Sequence, residues 1–370
     1  MISSTEIALP VVLNGQILTC NDVEKTHLLE YESGITVRLP DLGQDGLDAV
    51  KRERAALLPE LCALTLHDIT TFLSEVGKRW LTSGYPIRAE GERNAAAITG
   101  YAPRMLNLDY NFMGYVMHNR PYVYDYIEWE LGNERIMDEW CRQKASWVRA
   151  FPYGIVLHSM VGNMALANAF TLLWAAMTKN ISLGKLPARD PATPLALAQA
   201  FVDVDPKHPM ARAMSVMYWK HDSALVSAAC DIADVVFAWG GNNSIKQLKE
   251  KVPANVPFVE FGPKWSLAVV DLDQCDNEMA AWRMAADVTF YDQEANTTQS
   301  TMVWAIPRAG RSSSLAEGVR MAFRSIAFER IHLPTRAMQS ARAPRSDNSN
   351  RSMVSRRCRY CPVCCSSVKA

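Results

Sequence analysis

Neither sign of charge is in excess: 39 Lys and Arg stand against 39 Asp and Glu over 370 residues, so no overall imbalance points to a charged partner. Residues 1–10 lack a basic stretch followed by a long apolar one, which argues against a secretory signal and makes the cytoplasm the expected compartment. Metal-ligand spacing is also missing. Cys358, Cys361, Cys364 and Cys365 cluster, but no second pair or nearby His completes a knuckle, and no metal is expected. The other five cysteines, Cys20, Cys62, Cys141, Cys230 and Cys275, are scattered, as reduced thiols of a cytosolic protein are.

Charge is absent altogether from Phe151 to Thr178, a run long enough to cross a bilayer. Pro152, Gly154, His158, Gly162, Asn163 and Asn168 interrupt it, however, and unsatisfied polar groups are costly in lipid. No membrane span is expected; the run reads instead as a buried strand over 154–160, a turn at Val161-Gly162-Asn163 and a buried helix over 165–178.

What is present describes an ordinary globular chain, 49% apolar and 21% charged, long enough for two lobes. From Thr335 onward eight Lys or Arg face one Asp, apolar periodicity disappears, and Tyr360 is the sole aromatic. A basic arm without interleaved aromatics predicts a disordered tail and no nucleic-acid partner.

Asn14-Gly15 between two apolar runs predicts a β-hairpin. Leu66, Ile69, Phe72, Leu73, Val76 and Trp80 recur at helical spacing and predict a helix over 66–81. Six tyrosines lie between Tyr101 and Trp140, a density that suits either core packing or an acyl-lined pocket. From Phe151 strands and helices alternate, which implies a parallel sheet covered on both faces, the doubly wound α/β arrangement of dinucleotide-binding domains. A shorter unit follows, with a helix over 277–288, a strand over 301–306 and a last helix over 316–329. The expected division is 1–271, 272–330 and a tail 331–370.

Within the alternating region, the apolar run ending at Ala238 stops at Trp239-Gly240-Gly241 and resumes as a helix. Such a turn leaves free backbone N–H groups at a helix N-terminus, where an anion is favoured, although the same glycines serve any tight strand-to-helix turn.

Several separated motifs stand in one recognisable order. They are Ile136–Trp140, Ala150-Phe-Pro-Tyr-Gly154, Thr178-Lys-Asn180, the run Phe201–Pro209, Ser215–Trp219, Ala238–Gly241, Phe261-Gly-Pro-Lys264 and Phe290-Tyr-Asp-Gln293. In this order the chain, from about Val11 to Ile306, resembles the long-chain fatty acyl-CoA reductases of the bacterial luminescence type, the LuxC family. The resemblance implies an aldehyde dehydrogenase-like fold and NADPH-dependent reduction of a long-chain acyl-CoA or acyl-protein thioester to a fatty aldehyde. It further implies acyl-transferase or synthetase partner subunits and is compatible with a homo-oligomer.

By motif position, the resemblance makes Asn163 the side-chain donor to the reaction's oxyanion and Lys185 a contact of the cofactor's ribose or its phosphate. It sets Trp239, Gly240 and Gly241 by the cofactor phosphates, and Glu260 where aldehyde dehydrogenases have the glutamate that activates water. As a plain strand-end residue, Glu260 reads equally as solvated or ion-paired. One departure stands out: where the family has its nucleophilic cysteine, this chain has Asn296, or a one-residue deletion if Gln299 is aligned instead, and either way the thiol is missing. An amide cannot form a thioester. The resemblance also fades after Ile306, which predicts an incomplete second, catalytic lobe. The chain therefore reads either as an acyl-thioester reductase or as a nucleotide-binding relative that has lost catalysis.

Overall fold

Asn14 and Gly15 both adopt positive φ, 48° and 76°, the requirement of the tight hairpin turn expected between the first apolar runs. They join β2 (Val11–Leu13) to β3 (Gln16–Leu18). The computed structural model describes residues 5–263, 267–271, 276–289, 291 and 302–306, all within one unit that spans residues 1–330. Before the hairpin runs β1 (Thr5–Ala8), and after it β4 (Thr26–Glu30) and β5 (Ile35–Pro40); these three form a small sheet in the order β1-β5-β4.

Five helices follow: α1 (Gly43–Ala63), α2 (Leu66–Leu81), α3 (Pro86–Thr99), α4 (Pro103–His118) and α5 (Arg120–Leu131). Helix α2 has the predicted limits because Thr65 and Asp68 close a reciprocal capping box at its start. Its buried face is Leu66, Ile69, Phe72, Leu73, Val76 and Trp80, the spacing read from the sequence. A two-stranded ribbon, β6 (Cys141–Gln143) with β7 (Ser146–Val148), then leads into the main sheet.

The main sheet has seven strands. Its five parallel strands and their crossovers run β8 (Ile155–Ser159), α6 (Ala165–Met177), β9 (Ile181–Lys185), α7 (Ala192–Val204), α8 (Pro209–Arg212), β10 (Met214–Met217), α9 (Leu225–Ile232), β11 (Val235–Trp239), α10 (Asn242–Lys249) and β12 (Phe258–Phe261). In space the order is β12-β11-β8-β9-β10, with the hairpin β2-β3 added antiparallel to β10. The chain thus winds outward one way from β8, returns, and winds outward the other way from β11. Right-handed crossovers then place α6 and α7 on one face and α9 and α10 on the other. The uncharged run from Phe151 becomes β8 and the 13-residue α6, and among the described residues no single helix is long and apolar enough to cross a membrane.

Several family motifs prove to be ties at the start of β8. Gly154, at φ 125°, lies so close to Asp234 that a Cβ there would stand 2.1 Å from Oδ2. Asp234 accepts from the Ile155 N–H and from two nitrogens of Arg54 on α1, each bond 2.8–2.9 Å. Asn180 accepts from the Gly154 N–H at 3.1 Å. The buried ammonium of Lys179 donates to Asp138 and to the Met137 carbonyl, while Asp138 also accepts from the Leu66 N–H.

Past β12, the segment expected to continue the alternation behaves differently: β13 (Leu267–Asp271) does not join the seven-stranded sheet. It pairs in parallel with β14 (Met302–Ile306), with α11 (Asn277–Thr289) between them in sequence. The expected helix over 316–329, the tail and its cysteine cluster lie outside the described residues.

Candidate functional site

In an open parallel sheet the ligand crevice forms at the carboxyl ends of the strands where the winding reverses. Here that point lies between β8 and β11. Register aligns the strand ends in one row, with Ser159 opposite both Lys185 and Ala238, and Ala238 opposite Glu260. At the reversal a crevice of about 410 Å³ is lined by Gly162, Asn163, Arg189, Trp239, Gly240, Gly241 and Phe261, among others. Four residues picked from the sequence, Asn163, Trp239, Gly240 and Gly241, therefore meet in one place.

The turn carrying Asn163 is built by its neighbours. Asn168, buried in the first turns of α6, accepts from the Val161 N–H at 3.1 Å and donates back to the Val161 carbonyl at 2.6 Å. Gly162 admits no side chain, since a Cβ would lie 2.2 Å from that of Arg189. The Asn163 carbonyl accepts from the Tyr101 hydroxyl at 2.9 Å, and the Arg189 guanidinium lies 5.7 Å from the centre of the Tyr101 ring.

On the opposite wall, Gly240 has φ 150° and Gly241 caps α10 without any side-chain hydrogen bond. The first-turn N–H groups of α10 are thus left without a side-chain cap, and a Cβ at Gly241 would meet nothing within 4 Å. That is a cradle open to a phosphate. Trp239 stacks on Phe261, with ring centres 4.1 Å apart, and its buried indole N–H has no hydrogen-bond partner among the described residues. An orphaned buried donor beside an uncapped helix start fits a polar, anionic ligand.

Lys185 ends β9 and does not line this crevice. Burial pushes its pKa below the ordinary lysine value, and its ammonium makes no hydrogen bond or ion pair among the described residues. A desolvated cation without a counter-ion suits an anionic group brought by a ligand. Glu260 lies on the edge strand, exposed, 3.7 Å from the Lys249 ammonium, and outside the crevice lining. Asn296 lies outside the described residues.

Of the motif that precedes position 296, Tyr291 is described. It is buried, donates its hydroxyl to Asp109 on α4, and meets Tyr101 edge to face with ring centres 6.0 Å apart. Burial pushes the Asp109 carboxyl up to about 7, against the lowering effect of the Tyr291 hydrogen bond, with Asp190 adding to the rise. Burial likewise raises the Tyr291 phenol above its ordinary range. Tyr101, Asp109, Tyr291 and Arg189 were not picked as site residues from the sequence. Tyr291 stands within a motif and Tyr101 opens the tyrosine-rich region, but nothing in the sequence marks Asp109 or Arg189. His158, in β8, is pushed down to about 3 by burial and bonds Thr171 at 2.8 Å, so it stays neutral and structural at neutral pH.

The sequence profile of the acyl-CoA reductase (LuxC) family matches residues 61–305. The chain is 35% identical over 289 residues to the long-chain acyl-protein thioester reductase of Photobacterium phosphoreum, covering 78% of this chain and 58% of that one. It is 40% identical over 234 residues to the protein of that name from Photorhabdus luminescens, covering 63% of this chain and 48% of the other. The chain thus spans roughly half to three fifths of the length of the curated relatives it matches. Among solved structures it is similar to a NAD-dependent benzaldehyde dehydrogenase from Corynebacterium glutamicum, with TM-score 0.68 and 13% identity over 86% of this chain and 67% of that one. It is also similar to an NADP-dependent glyceraldehyde-3-phosphate dehydrogenase from Bacillus halodurans C-125, with TM-score 0.64 and 13% identity over 87% of this chain and 65% of the other. The fold is that of the aldehyde dehydrogenases.

Proposed function

The chain belongs to the LuxC acyl-CoA reductase family, and from that premise we propose that it binds NADPH in the crevice between β8 and β11 and takes a long-chain acyl thioester as its second ligand. The observation that carries this reading is the meeting of Asn163, Trp239, Gly240 and Gly241 at the reversal of the sheet. When bound, the nicotinamide cofactor supplies a hydride for reduction of an acyl carbonyl. The uncapped start of α10 and the Arg189 guanidinium favour its phosphates, and the desolvated ammonium of Lys185 is the proposed contact of a further anionic group on the ribose. The Asn163 amide serves as a donor to the oxygen of the acyl carbonyl as negative charge develops there. Loss of such a donor typically costs about 2.7–4 kcal/mol in the transition state. Glu260, exposed and paired with Lys249, takes no part in aldehyde formation, for which activating water would be counterproductive.

Covalent capture of the acyl group at position 296 is the step this chain cannot perform, because asparagine offers no thiolate. That residue favours a second reading, a protein that binds both ligands without turnover, alone or beside acyl-transferase or synthetase subunits. Its free thiols Cys20, Cys62, Cys141 and Cys230 fit a reducing compartment such as the cytoplasm.

Two measurements on the full chain test these statements. Calorimetric titration should detect NADPH binding, and its absence in the folded protein would end the nucleotide reading. Intact-mass analysis after incubation with a long-chain acyl-CoA should show no stable adduct. A thiol-sensitive adduct mapping near Asn296 would restore the catalytic reading.

A further inference from the structure

Phe261 walls two cavities. On one side lies the polar crevice already described; on the other is a cavity of about 450 Å³, within the size range of sites that enclose small ligands. The second cavity is floored by the sheet at Val156, Val235 and Phe237 and walled by Trp174 and Met177 of α6 and by Ile127 of α5. Trp174 stacks toward Trp239, with ring centres 6.3 Å apart, and Trp239 lies flat on Phe261. An aromatic stack therefore stands at the border where the apolar cavity and the crevice meet, with Phe261 in both linings. Lys179 also contributes to the lining, but its ammonium is taken by Asp138 and the Met137 carbonyl, so the interior offers little to a polar ligand.

We propose that this cavity houses the saturated chain of a long-chain acyl group whose thioester carbonyl is presented at the crevice, an assignment that rests on the acyl-thioester reading above. The chemistry demands two unlike environments in contact. The carbonyl needs the donors and the cofactor of the crevice, whereas the chain needs an apolar housing that begins within reach of that carbonyl. Phe261, shared by both linings, is where the two environments touch. The chain then leaves the carbonyl past the Trp174–Trp239–Phe261 stack and runs under α5. Tyr126, from the tyrosine-rich region of the sequence, forms part of that far wall. Affinity consequently grows with chain length, by roughly fourfold for each methylene removed from water.

The test uses the full chain and three ligands, NADPH, butanoyl-CoA and tetradecanoyl-CoA, measured by calorimetry on the unmodified protein and on Ala175→Phe, which fills the cavity from α6. The expected result is at least a tenfold loss for tetradecanoyl-CoA in the variant, with NADPH and butanoyl-CoA within about twofold of the unmodified protein. Should Ala175→Phe fail to fold, a tetradecanoyl-CoA analogue bearing a terminal diazirine is irradiated with the unmodified protein and its attachment sites are mapped. Attachment to residues 126–131 or 150–153, prevented by excess tetradecanoyl-CoA, supports the assignment. Attachment confined to other segments, or undiminished tetradecanoyl-CoA affinity in a folded Ala175→Phe protein, overturns it and leaves the thioester reading standing. Retained NADPH binding with no binding of either acyl-CoA refutes the thioester reading itself, and this assignment with it.

Discussion

Tyr291 and Asp109 are hydrogen-bonded to each other in the interior although 182 positions separate them in the chain. Tyr291 is the second residue of the motif Phe290-Tyr-Asp-Gln293 that leads to position 296, and Asp109 belongs to the helical layer that precedes the sheet. Through Tyr101, whose ring meets Tyr291 and whose hydroxyl holds the Asn163 carbonyl, the same contact reaches the crevice. Tyr291 is thereby anchored to the helix layer that also steadies the Asn163 turn.

Replacing Tyr291 by Phe should destabilise the protein by about 1–3 kcal/mol, because the buried Asp109 carboxyl loses its donor. Urea denaturation at neutral pH reads this as a lower midpoint with an unchanged slope. A midpoint equal to that of the unmodified protein would show that the contact carries no stability.

Asp109 also makes stability depend on pH. Its folded-state pKa, near 7, lies above the ordinary aspartate value of 3.8, so between these limits the folded protein holds a proton that the unfolded chain has released. Stability from this group is full below about pH 4 and is lost as pH rises through 7. Denaturation at a series of pH values should show a downward slope over that window that is smaller in Asp109→Asn. Parallel profiles for the two proteins would exclude the role.

Asp138→Ala should cost about 3–5 kcal/mol, since the Lys179 ammonium would remain buried without its counter-ion. Lys179→Met removes the charge along with the pairing and should cost less. Thermal melts of the two variants compare them directly, and the reverse order would contradict the account.

Gly162→Ala should loosen the Asn163 turn, because the added methyl would lie 2.2 Å from the Arg189 Cβ. A loss of about 1–3 kcal/mol in stability is expected for such overpacking, together with weaker NADPH binding. Unaltered melting and binding would mean that the loop relaxes freely.

Lys185→Glu should weaken NADPH by more than tenfold and NADH by less, the difference reflecting the extra phosphate. Equal weakening of both cofactors by calorimetry would assign the lysine to a group that the two share.

Several elements were legible in the sequence because each rests on local chemistry: the Asn14-Gly15 turn, the apolar spacing of α2, and the apolar run broken at Gly162-Asn163 into a strand and a helix. Gly240 and Gly241 were legible in the same way, since a glycine turn after a strand announces a helix start, whereas Asn163 was singled out by the family resemblance. Two strand ends became one site only through the sheet order. That order sets β11 beside β8 although two strands intervene in sequence.

What the sequence determined by itself was the family and the strand-helix alternation. Both are properties of residue identity and spacing. Tertiary structure alone decided that Phe261 stands between two cavities, that Tyr291 reaches Asp109, that Arg189 joins Asn163, and that β13 leaves the main sheet to pair with β14. Each of these depends on which strands and helices become neighbours. Packing of the buried faces of the whole chain settles that choice, and no local pattern carries it.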